Sequence, residues 1–359
     1  MVMSPEPGNP LEVEGTLNPG AARGPDGHLY LFPRLVAKGN YSRIGIARVR
    51  FDDKGDPVGV ERLGIALEPA ADYELRPGGG GGCEDPRITF VEPLQQYVMT
   101  YTAFSPHGPR IALALSKDLF HWDRVNLAVF EQCNGLDFNG VDNKDALFFP
   151  VAIPNPHGEP ATAMLHRPLF PGTHPHQTVH HPAPRIVDIH RESIWISYCT
   201  LGKDQCEPHH LCHFGSHHRL ASPVKKWERL KIGGGTPPML TSHGWLVIYH
   251  GVCQAPGSTA EERRLEYSAG IFILSQSHPS FIRYRSREPI LTPEVPAERQ
   301  GMVADVVFPT GIDRRSDLGQ PNRFDVYYGM ADSRIGVARL EVPEQLPAGA
   351  RADSADAKA

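Results

Sequence analysis

The chain has 359 residues and a formal net charge of −5, and 40% of its residues are hydrophobic and 21% charged. This is an ordinary globular composition, and no block of lysine or arginine indicates a nucleic-acid surface. No apolar run reaches membrane-spanning length, and the first residues lack the features of a secretory signal. We therefore expect a cytoplasmic protein with no membrane or nucleic-acid partner.

Glycine and proline, at 35 residues each, are spread along the chain rather than gathered in one tract. This distribution is typical of many short elements separated by turns, and it argues against long helices. The 6 cysteines contain no CxxC pair, so we expect reduced thiols rather than a disulfide framework.

A two-part pattern recurs along the chain: an apolar run, a turn and a second apolar run. The pairs lie at residues 28–36 and 42–51, 96–104 and 109–122, 161–170 and 193–200, 244–252 and 267–275, and 324–332 and 333–342. The first and last pairs contain nearly the same segment, SRIGIAR and SRIGVAR. The runs alternate and are rich in Val, Ile, Tyr, Phe and Thr, which predicts β-strands. Five such hairpins predict an all-β, five-bladed β-propeller, with a β-sandwich or two all-β domains as the alternative.

The repeats also set the predicted domain boundaries. We expect residues 1–15 to form an N-terminal arm and residues 16–342 the propeller and catalytic domain. Residues 343–359 are small and polar, so we expect a flexible C-terminal tail that buries little apolar surface.

The segment PGGGGGCEDPR (77–87) places adjacent acids directly after a glycine run. A residue before proline avoids helical geometry, so we expect Asp85 to be extended. Neighbouring side chains on an extended segment point to opposite faces, so only one of Glu84 and Asp85 should face a site squarely, while the other could pair with Arg87. The glycines would let the backbone approach a bulky ligand. The alternative is a polar surface turn held by an Asp–Arg pair.

Polar residues follow the apolar strands of the predicted blades. They are Arg34, Thr102, His166, Arg167, His250 and Asp332 at the hairpins, with Lys144 and Asp145 in the segment NKDALFFP. In a propeller the loops at one end of the inner strands form a pocket, so we expect these side chains to converge there.

Cations are unusually frequent in this set. Arg43, Lys144, Arg167 and His250 come from separate repeats. Gathering positive groups in one cleft is unfavourable unless an anion joins them, and phosphate suits both the fork of Arg and the point charge of Lys. The alternative is that each cation pairs with a nearby carboxylate.

The segment at 199–220, with residues 174–182 upstream, is rich in Cys and His, which are suitable zinc ligands. No second pair has finger-like spacing, so we predict a His-rich loop near the pocket and no metal site.

Several segments resemble glycoside hydrolase family 130, the β-mannoside phosphorylases and related β-mannosidases. In chain order they are CEDPRITF, QYVMTYTAFSPHGPRIALALSKDLFHW, NKDALFFP, MLHRP, GGGTPPML, GWLVIYHGV, VVFPTG and YYGMADSRIGVA. The resemblance covers nearly the whole chain. It implies a five-bladed β-propeller and inverting attack at C1 of a β-linked mannoside. In the phosphorylases of this family inorganic phosphate is the nucleophile and α-mannose 1-phosphate the product.

The resemblance also implies roles for individual residues. Asp85 would be the general acid, its proton passing through a sugar hydroxyl, and Asp332 would bind the mannose of the cleaved subsite. Phosphate would be held by Arg43, Lys144, Arg167, His250 and Tyr267. We expect Arg34, Glu84, Arg87 and Asp145 to contribute to substrate binding. No cofactor is expected beyond phosphate as co-substrate, and a homo-oligomer is compatible with the sequence.

One acid beside a cation cluster favours phosphorolysis, because an inverting hydrolase needs a second carboxylate to activate water. An inverting β-mannosidase stays open as the alternative, with Glu207 or Glu266 as its base, and so does a sugar-binding propeller without catalysis. Asp305 stands where the family often has Asn, and it leaves the acceptor and the linkage undetermined.

Overall fold

The computed structural model describes residues 1–170, 191–201, 211–255, 257–258 and 264–347. These ranges are built almost entirely from strands. They are β1 (Gly15–Arg23), β2 (Leu29–Ala37), β3 (Tyr41–Phe51), β4 (Pro57–Leu67), β5 (Gly82–Val91), β6 (Gln96–Ser105), β7 (Gly108–Ser116), β8 (Asp123–Leu127), β9 (Val129–Phe130), β10 (Asp142–Phe148), β11 (Ile153–Pro154), β12 (Pro160–Leu169), β13 (Ile194–Thr200), β14 (His213–Ala221), β15 (Lys231–Gly234), β16 (Met239–Thr241), β17 (Gly244–Gln254), β18 (Leu265–Leu274), β19 (Ile282–Arg285), β20 (Val307–Arg314), β21 (Arg323–Met330) and β22 (Arg334–Glu341). The predicted all-β class is therefore confirmed.

Helices are few and short in the described ranges. They are α1 (Pro296–Arg299) and the 3₁₀ helices Glu92–Leu94, Lys226–Glu228 and Ser316–Leu318. None of them is long and apolar enough to cross a bilayer.

The strands form four hydrogen-bonded sheets, and the largest consists of two antiparallel groups. Strands β1–β4 make the first group and β5–β8 the second, joined by one parallel pairing between Ser42 and Gly82. The third group contains β10, β12, β13 and β14, the fourth β15, β17, β18 and β19, and the fifth β20–β22. Each group runs in chain order, as short turns between antiparallel strands require.

The recurring hairpins of the sequence are the second and third strands of these groups, for example β2 with β3 and β21 with β22. The first strands are β1, β5, β10, β15 and β20, and the sequence repeat does not include them. These first strands carry several of the polar residues described below.

Apolar clusters fill the space between neighbouring groups. One cluster joins Leu147 and Phe149 of the third group to Trp227, Tyr249 and Phe272 of the fourth. Each such side chain contributes roughly 1.5–3 kcal/mol when fully buried. The clusters thus fix how one group sits against the next, and through this the position of the strand ends.

The two ends of the strand order lie against each other. Val2 and Met3 are buried, and Met3 pairs with Ile335 of β22. On the first and fifth groups, Arg23 of β1 makes a two-point ion pair with Asp313 of β20, at 2.8 and 2.7 Å. Most of the predicted C-terminal tail, residues 348–359, lies outside the described residues.

Candidate active site

Bulges in the first strands turn polar side chains toward one region. The register of β1, β5 and β10 is interrupted where Asn18, Asp85 and Asp145 stand. These residues have φ values of 43°, 47° and 57°. Asn and Asp tolerate left-handed geometry better than other residues with a Cβ, and bulges commonly re-aim a side chain beside an active site.

The left-handed φ of Asp85 overturns the expectation that this residue is extended. Arg34 contacts both acids, with Nη2 2.8 Å from Oε1 of Glu84 and Nη1 3.3 Å from Oδ1 of Asp85. Asn18 Nδ2 donates a third bond to Oδ1 of Asp85 at 2.9 Å. Both carboxylates therefore lie on the same side, because the bulge cancels the alternation of a regular strand.

The glycine run before these acids approaches the protein's own backbone. Gly80 N donates to Gly39 O at 2.7 Å, and Ser42 N donates to Gly81 O at 2.8 Å. A Cβ added to Gly82 would stand 2.0 Å from Ser42 O. The close approach that requires glycine at position 82 is thus to the first strand group, and an approach of the glycine run to a ligand stays a prediction.

Asp145 is the centre of a second cluster. Arg167 Nε lies 2.6 Å from its Oδ2, and Arg87 Nη2 lies 3.4 Å from its Oδ1. Burial raises the pKa of Asp145, but the neighbouring cations, led by Arg167, outweigh burial and hold this pKa well below its usual value. Arg87 also donates to the carbonyls of Gly234 and Gly235, and Arg167 also pairs with Glu192. These two arginines are therefore largely neutralised.

Lys144 and Lys231 stand beside this cluster without an ion pair in the part of the chain that the structure describes. Burial and the charge of Arg167 lower the pKa of both, that of Lys231 to about 8. Lys231 Nζ lies 5.5 Å from the centroid of the Tyr267 ring. Two partly desolvated ammonium groups without a carboxylate partner favour the binding of an anion. The pairing of Lys144 with a neighbouring aspartate is not observed.

His250 and Tyr267 lie in the same region. His250 is fully buried, and burial lowers its pKa to about 3. Within the described ranges neither of its ring nitrogens has a hydrogen-bond partner, which is rare for a buried polar group. Burial raises the pKa of Tyr267, while Arg167 and Lys144 oppose the rise.

Asp332 connects the two clusters. It has a φ of 48° in the turn between β21 and β22. Burial and the charge of Asp85 raise its pKa to about 6, with Arg34 and Lys144 opposing. Because groups from both clusters act on one carboxylate, the clusters form a single site.

Arg43 lies apart from the cations with which it was predicted to act. Its Nε and Nη2 bind Glu68 at 2.8 and 2.9 Å, and its guanidinium carbon lies 5.0 Å from the centroid of the Tyr41 ring. The reason is strand alternation: Ser42, the neighbour of Arg43, bonds to Arg34 on the site side, so Arg43 faces the other way.

Other predicted residues make no side-chain bond to the carboxylates and cations of the site in the part of the chain that the structure describes. Thr102 is buried opposite Glu84, and both ring nitrogens of His166 are bonded, to Asn143 and Ser197. Glu266 stands opposite Cys253 on the β17–β18 pair. Glu207, residues 174–182 and residues 202–210 of the Cys/His-rich segment lie outside the described residues.

The sequence reasoning missed Lys231 and Asn18. Lys231 precedes the GGG of GGGTPPML, and a search for the first strand of each group would have drawn attention to it. Asn18 precedes Pro19 as Asp85 precedes Pro86, which was a usable signal of a shared bulge.

Comparison with known proteins relates this chain to mannoside phosphorylases. A sequence profile described as "beta-1,4-mannooligosaccharide phosphorylase" matches residues 8–347. The 1,2-beta-oligomannan phosphorylase of Thermoanaerobacter sp. (strain X514) is 29% identical over 350 residues, covering 96% of this chain and 95% of that protein.

Two solved structures share the fold. The beta-1,2-mannobiose phosphorylase of Listeria innocua, in complex with beta-1,2-mannobiose, aligns with a TM-score of 0.67 and 22% identity over 95% of this chain and 94% of that one. A structure from work on glycoside hydrolases that target beta-1,2 mannosidic linkages in Candida mannan aligns with a TM-score of 0.65 and 22% identity, covering 97% and 96%.

Proposed function

Because this chain belongs to glycoside hydrolase family 130, we propose that it is an inverting β-mannoside phosphorylase. It cleaves a β-linked manno-oligosaccharide with inorganic phosphate and yields α-mannose 1-phosphate and a shortened acceptor. The observation that carries this proposal is the position of Lys144 and Lys231, which have no ion pair in the described ranges and stand beside Arg167.

The strand groups support the proposed five-bladed β-propeller, whose catalytic domain is residues 16–342. The five groups follow chain order, and the first and last meet through the ion pair between Arg23 of β1 and Asp313 of β20. A cavity of about 320 Å³ is lined by strand residues of four groups, among them Ala21, Phe90, Met239 and Ile312, and by Pro150, which follows β10 of the third group. A ring of blades around an axis would bring all five groups to one cavity in this way.

Phosphate binds between Lys144, Arg167 and Lys231 in this proposal. The N–H of His250 and the hydroxyl of Tyr267 supply hydrogen bonds, since neither ring nitrogen of His250 is hydrogen-bonded within the described ranges and the nearest carboxylate oxygen, of Asp145, lies 3.7 Å from Nε2. The cations position the nucleophile and reduce its repulsion from the carboxylates Asp85 and Asp332. A contact from Arg43 to phosphate stays a prediction, and Nη1, which has no hydrogen-bond partner within the described ranges, is the atom of Arg43 not bonded to Glu68.

Asp85 donates the proton that the leaving acceptor oxygen needs. Arg34 and Asn18 both bond to Oδ1, and Oδ2 makes no hydrogen bond within the described ranges, so Oδ2 is the atom free to carry the proton. The proton reaches the acceptor oxygen through a mannose hydroxyl. The bond between C1 and that oxygen breaks as a phosphate oxygen bonds to C1 from the opposite face, which inverts the anomer.

The second candidate is an inverting β-mannosidase, and one observation favours it. A hydrolase needs an ionised base on the face opposite the acid. Glu84 and Asp145 are paired with arginines, but Asp332 has no ion pair among the described residues, and a pKa of about 6 would suit a base. Water bound near Asp332 would then replace phosphate.

An assay of β-1,2- and β-1,4-mannobiose, each with and without phosphate, tests the proposal. We expect α-mannose 1-phosphate only when phosphate is present. We also expect faster turnover of the β-1,2 isomer, since the Thermoanaerobacter relative is named for that linkage. Equal release of mannose in both conditions would establish the hydrolase, and turnover of neither sugar together with sugar binding would indicate a binding protein.

A further inference from the structure

A chain of hydrogen-bonded side chains, of which Asn143, His166 and Ser197 are buried and His217 is half-buried, runs behind the proposed phosphate site. Nδ1 of His166 lies 3.0 Å from Oδ1 of Asn143, and its Nε2 lies 2.7 Å from Ser197 Oγ. Ser197 Oγ lies 2.7 Å from Nδ1 of His217, whose Nε2 lies 2.9 Å from the carbonyl oxygen of Glu131. The chain thus continues without a gap from Asn143 to the backbone at Glu131.

The inner end of this chain adjoins the cations of the site. Asn143 precedes Lys144 on β10, and His166 precedes Arg167 on β12. Lys144 and Arg167 are cross-strand partners, and the regular register of β10 and β12 is interrupted directly after them. Ladder bonds are disrupted at such a bulge, so side chains must contribute more to fixing the two strands there.

His166, at the centre of these hydrogen-bonded side chains, has surroundings that would suit an apolar residue. The ring of His166 is fully buried and stacks on Phe130 with centroids 4.8 Å apart, and Phe138 lies 6.0 Å away. Burial lowers the pKa of His166 well below its usual value, so the ring is neutral. Burying an imidazole costs free energy, and its hydrogen bonds recover this cost without adding much net stability.

Donor and acceptor roles give the chain one direction when both histidines are neutral. The Glu131 carbonyl accepts, so Nε2 of His217 carries the proton and its Nδ1 accepts from the Ser197 hydroxyl. Ser197 Oγ then accepts from Nε2 of His166, and Nδ1 of His166 needs a donor. Asn143 Nδ2 is buried and has no partner within the described ranges. A 180° flip of the Asn143 side-chain amide, which exchanges Oδ1 and Nδ2, therefore supplies that donor.

We propose that Asn143, His166 and Ser197 are positioning residues: Asn143 and His166 link β10 to β12, and Ser197 of β13 fixes the His166 ring, so that Lys144 and Arg167 stay together to bind phosphate. This inference rests on the proposed phosphate site. The chain acts through the two cations and touches neither phosphate nor sugar. It therefore affects phosphate affinity more than mannoside affinity or the chemical step.

The variant Ser197→Ala tests this role, with Thr162→Ala as its matched control. Thr162 is a buried hydroxyl of the same sheet, bonded to the carbonyl of Cys199 at 3.3 Å and outside the chain. Phosphate binding is measured by titration calorimetry, together with the melting temperature and the KM for mannoside. We expect both variants to lose similar stability. Only Ser197→Ala should weaken phosphate binding, by about 3- to 10-fold, the effect of one buried hydrogen bond.

The outcomes separate this inference from the proposed function. Phosphate affinity equal to wild type in Ser197→Ala would overturn the positioning role even if turnover is phosphorolytic. Phosphate binding without mannose 1-phosphate formation would overturn the function alone, and absence of phosphate binding to the wild type would overturn both. If Ser197→Ala does not fold, His217→Ala removes the next hydrogen-bonding residue and is judged by the same criteria. The conservative variant Ser197→Thr keeps the hydroxyl and should retain the wild-type affinity for phosphate.

Discussion

At Asp85 a single backbone angle determines which side chains meet. With a φ of 47° the carboxylate shares Arg34 with Glu84, whereas an extended residue would turn away from it. Asn18 of β1 also has a left-handed φ, and its Nδ2 donates a hydrogen bond to Asp85. The acid is therefore held by two donors on one oxygen, which keeps the other oxygen available for proton transfer.

The first prediction concerns this acid. Asp85→Asn keeps the left-handed geometry, which Asn tolerates, but removes the proton. We expect kcat for phosphorolysis to fall by about 10²–10⁴-fold, the contribution of general acid catalysis, while mannoside binding measured by calorimetry is retained. A variant that keeps more than a tenth of wild-type kcat would exclude Asp85 as the acid.

The second prediction uses the titration of Lys231. Its pKa is lowered to about 8 by burial and the charge of Arg167, so the side chain is cationic below this pH and neutral above it. We expect kcat/KM for phosphate to decline above pH 8 in the wild type. In Lys231→Arg the decline should shift well above this range, because Arg keeps its charge. Identical pH profiles of the two proteins would show that Lys231 does not act on phosphate.

Among elements, the junction of β3 and β5 gives the third prediction. Gly82 has a φ of 118° and no room for a Cβ beside Ser42 O, whereas Gly78 has a φ of 91° and nothing within 4 Å. We expect Gly82→Ala to lower the free energy of unfolding by about 3 kcal/mol or more and Gly78→Ala by only about 1–2 kcal/mol. Chemical denaturation measures the free energy of unfolding of both variants. Equal losses would show that the contact between position 82 and Ser42 O adds nothing to the cost of a left-handed alanine.

At this scale the sequence predicts the hairpins well and the site-bearing strands poorly. The second and third strands of each group, such as β17 and β18, are long and rich in apolar residues, so their pattern is visible. The first strands are interrupted by bulges and carry polar residues where the pattern expects apolar ones. The bulge at Asp85 follows from tertiary packing, and the local rule for residues before proline therefore gave the wrong geometry.

For the whole molecule, the fourth prediction concerns the contact between the first and last strand groups. Arg23 holds the buried carboxylate of Asp313 by two bonds, while burial raises the pKa of Asp313. When the pKa of an acid is raised in the folded state, the protein loses stability as the pH rises from the unfolded-state pKa through the folded-state pKa. We expect Arg23→Met to lose about 1–3 kcal/mol near pH 8 and less near pH 4, where Asp313 is protonated more readily.

Arg48→Met is the control for this prediction, because Arg48 pairs with Glu61 on the exposed β3–β4 hairpin. We expect little change at either pH. Melting temperatures of both variants across this pH range provide the measurement. A loss for Arg23→Met that does not depend on pH would argue against the role given to Asp313.

The assembly of the site was predictable in part. Residue types and motif order indicated Lys144, Arg167, His250 and Asp332. In the structure burial and the charge of Arg167 lower the pKa of Lys144 and of His250, and Lys144 opposes the rise in the pKa of Asp332, so these residues lie near one another. Which side of a strand each residue faces was not predictable, because a one-residue bulge reverses it. Arg43, which lies in a regular stretch of β3, faces Glu68 by ordinary strand alternation from Ser42, and the sequence did not show which of the two neighbours faces the site.

A crystal structure of the wild-type protein grown with saturating phosphate tests the central claim most directly. We predict one phosphate within hydrogen-bonding distance of Lys144, Lys231 and Arg167, with Nε2 or Nδ1 of His250 at its edge. Density that shows no anion there, with both lysines paired to carboxylates, would contradict the account.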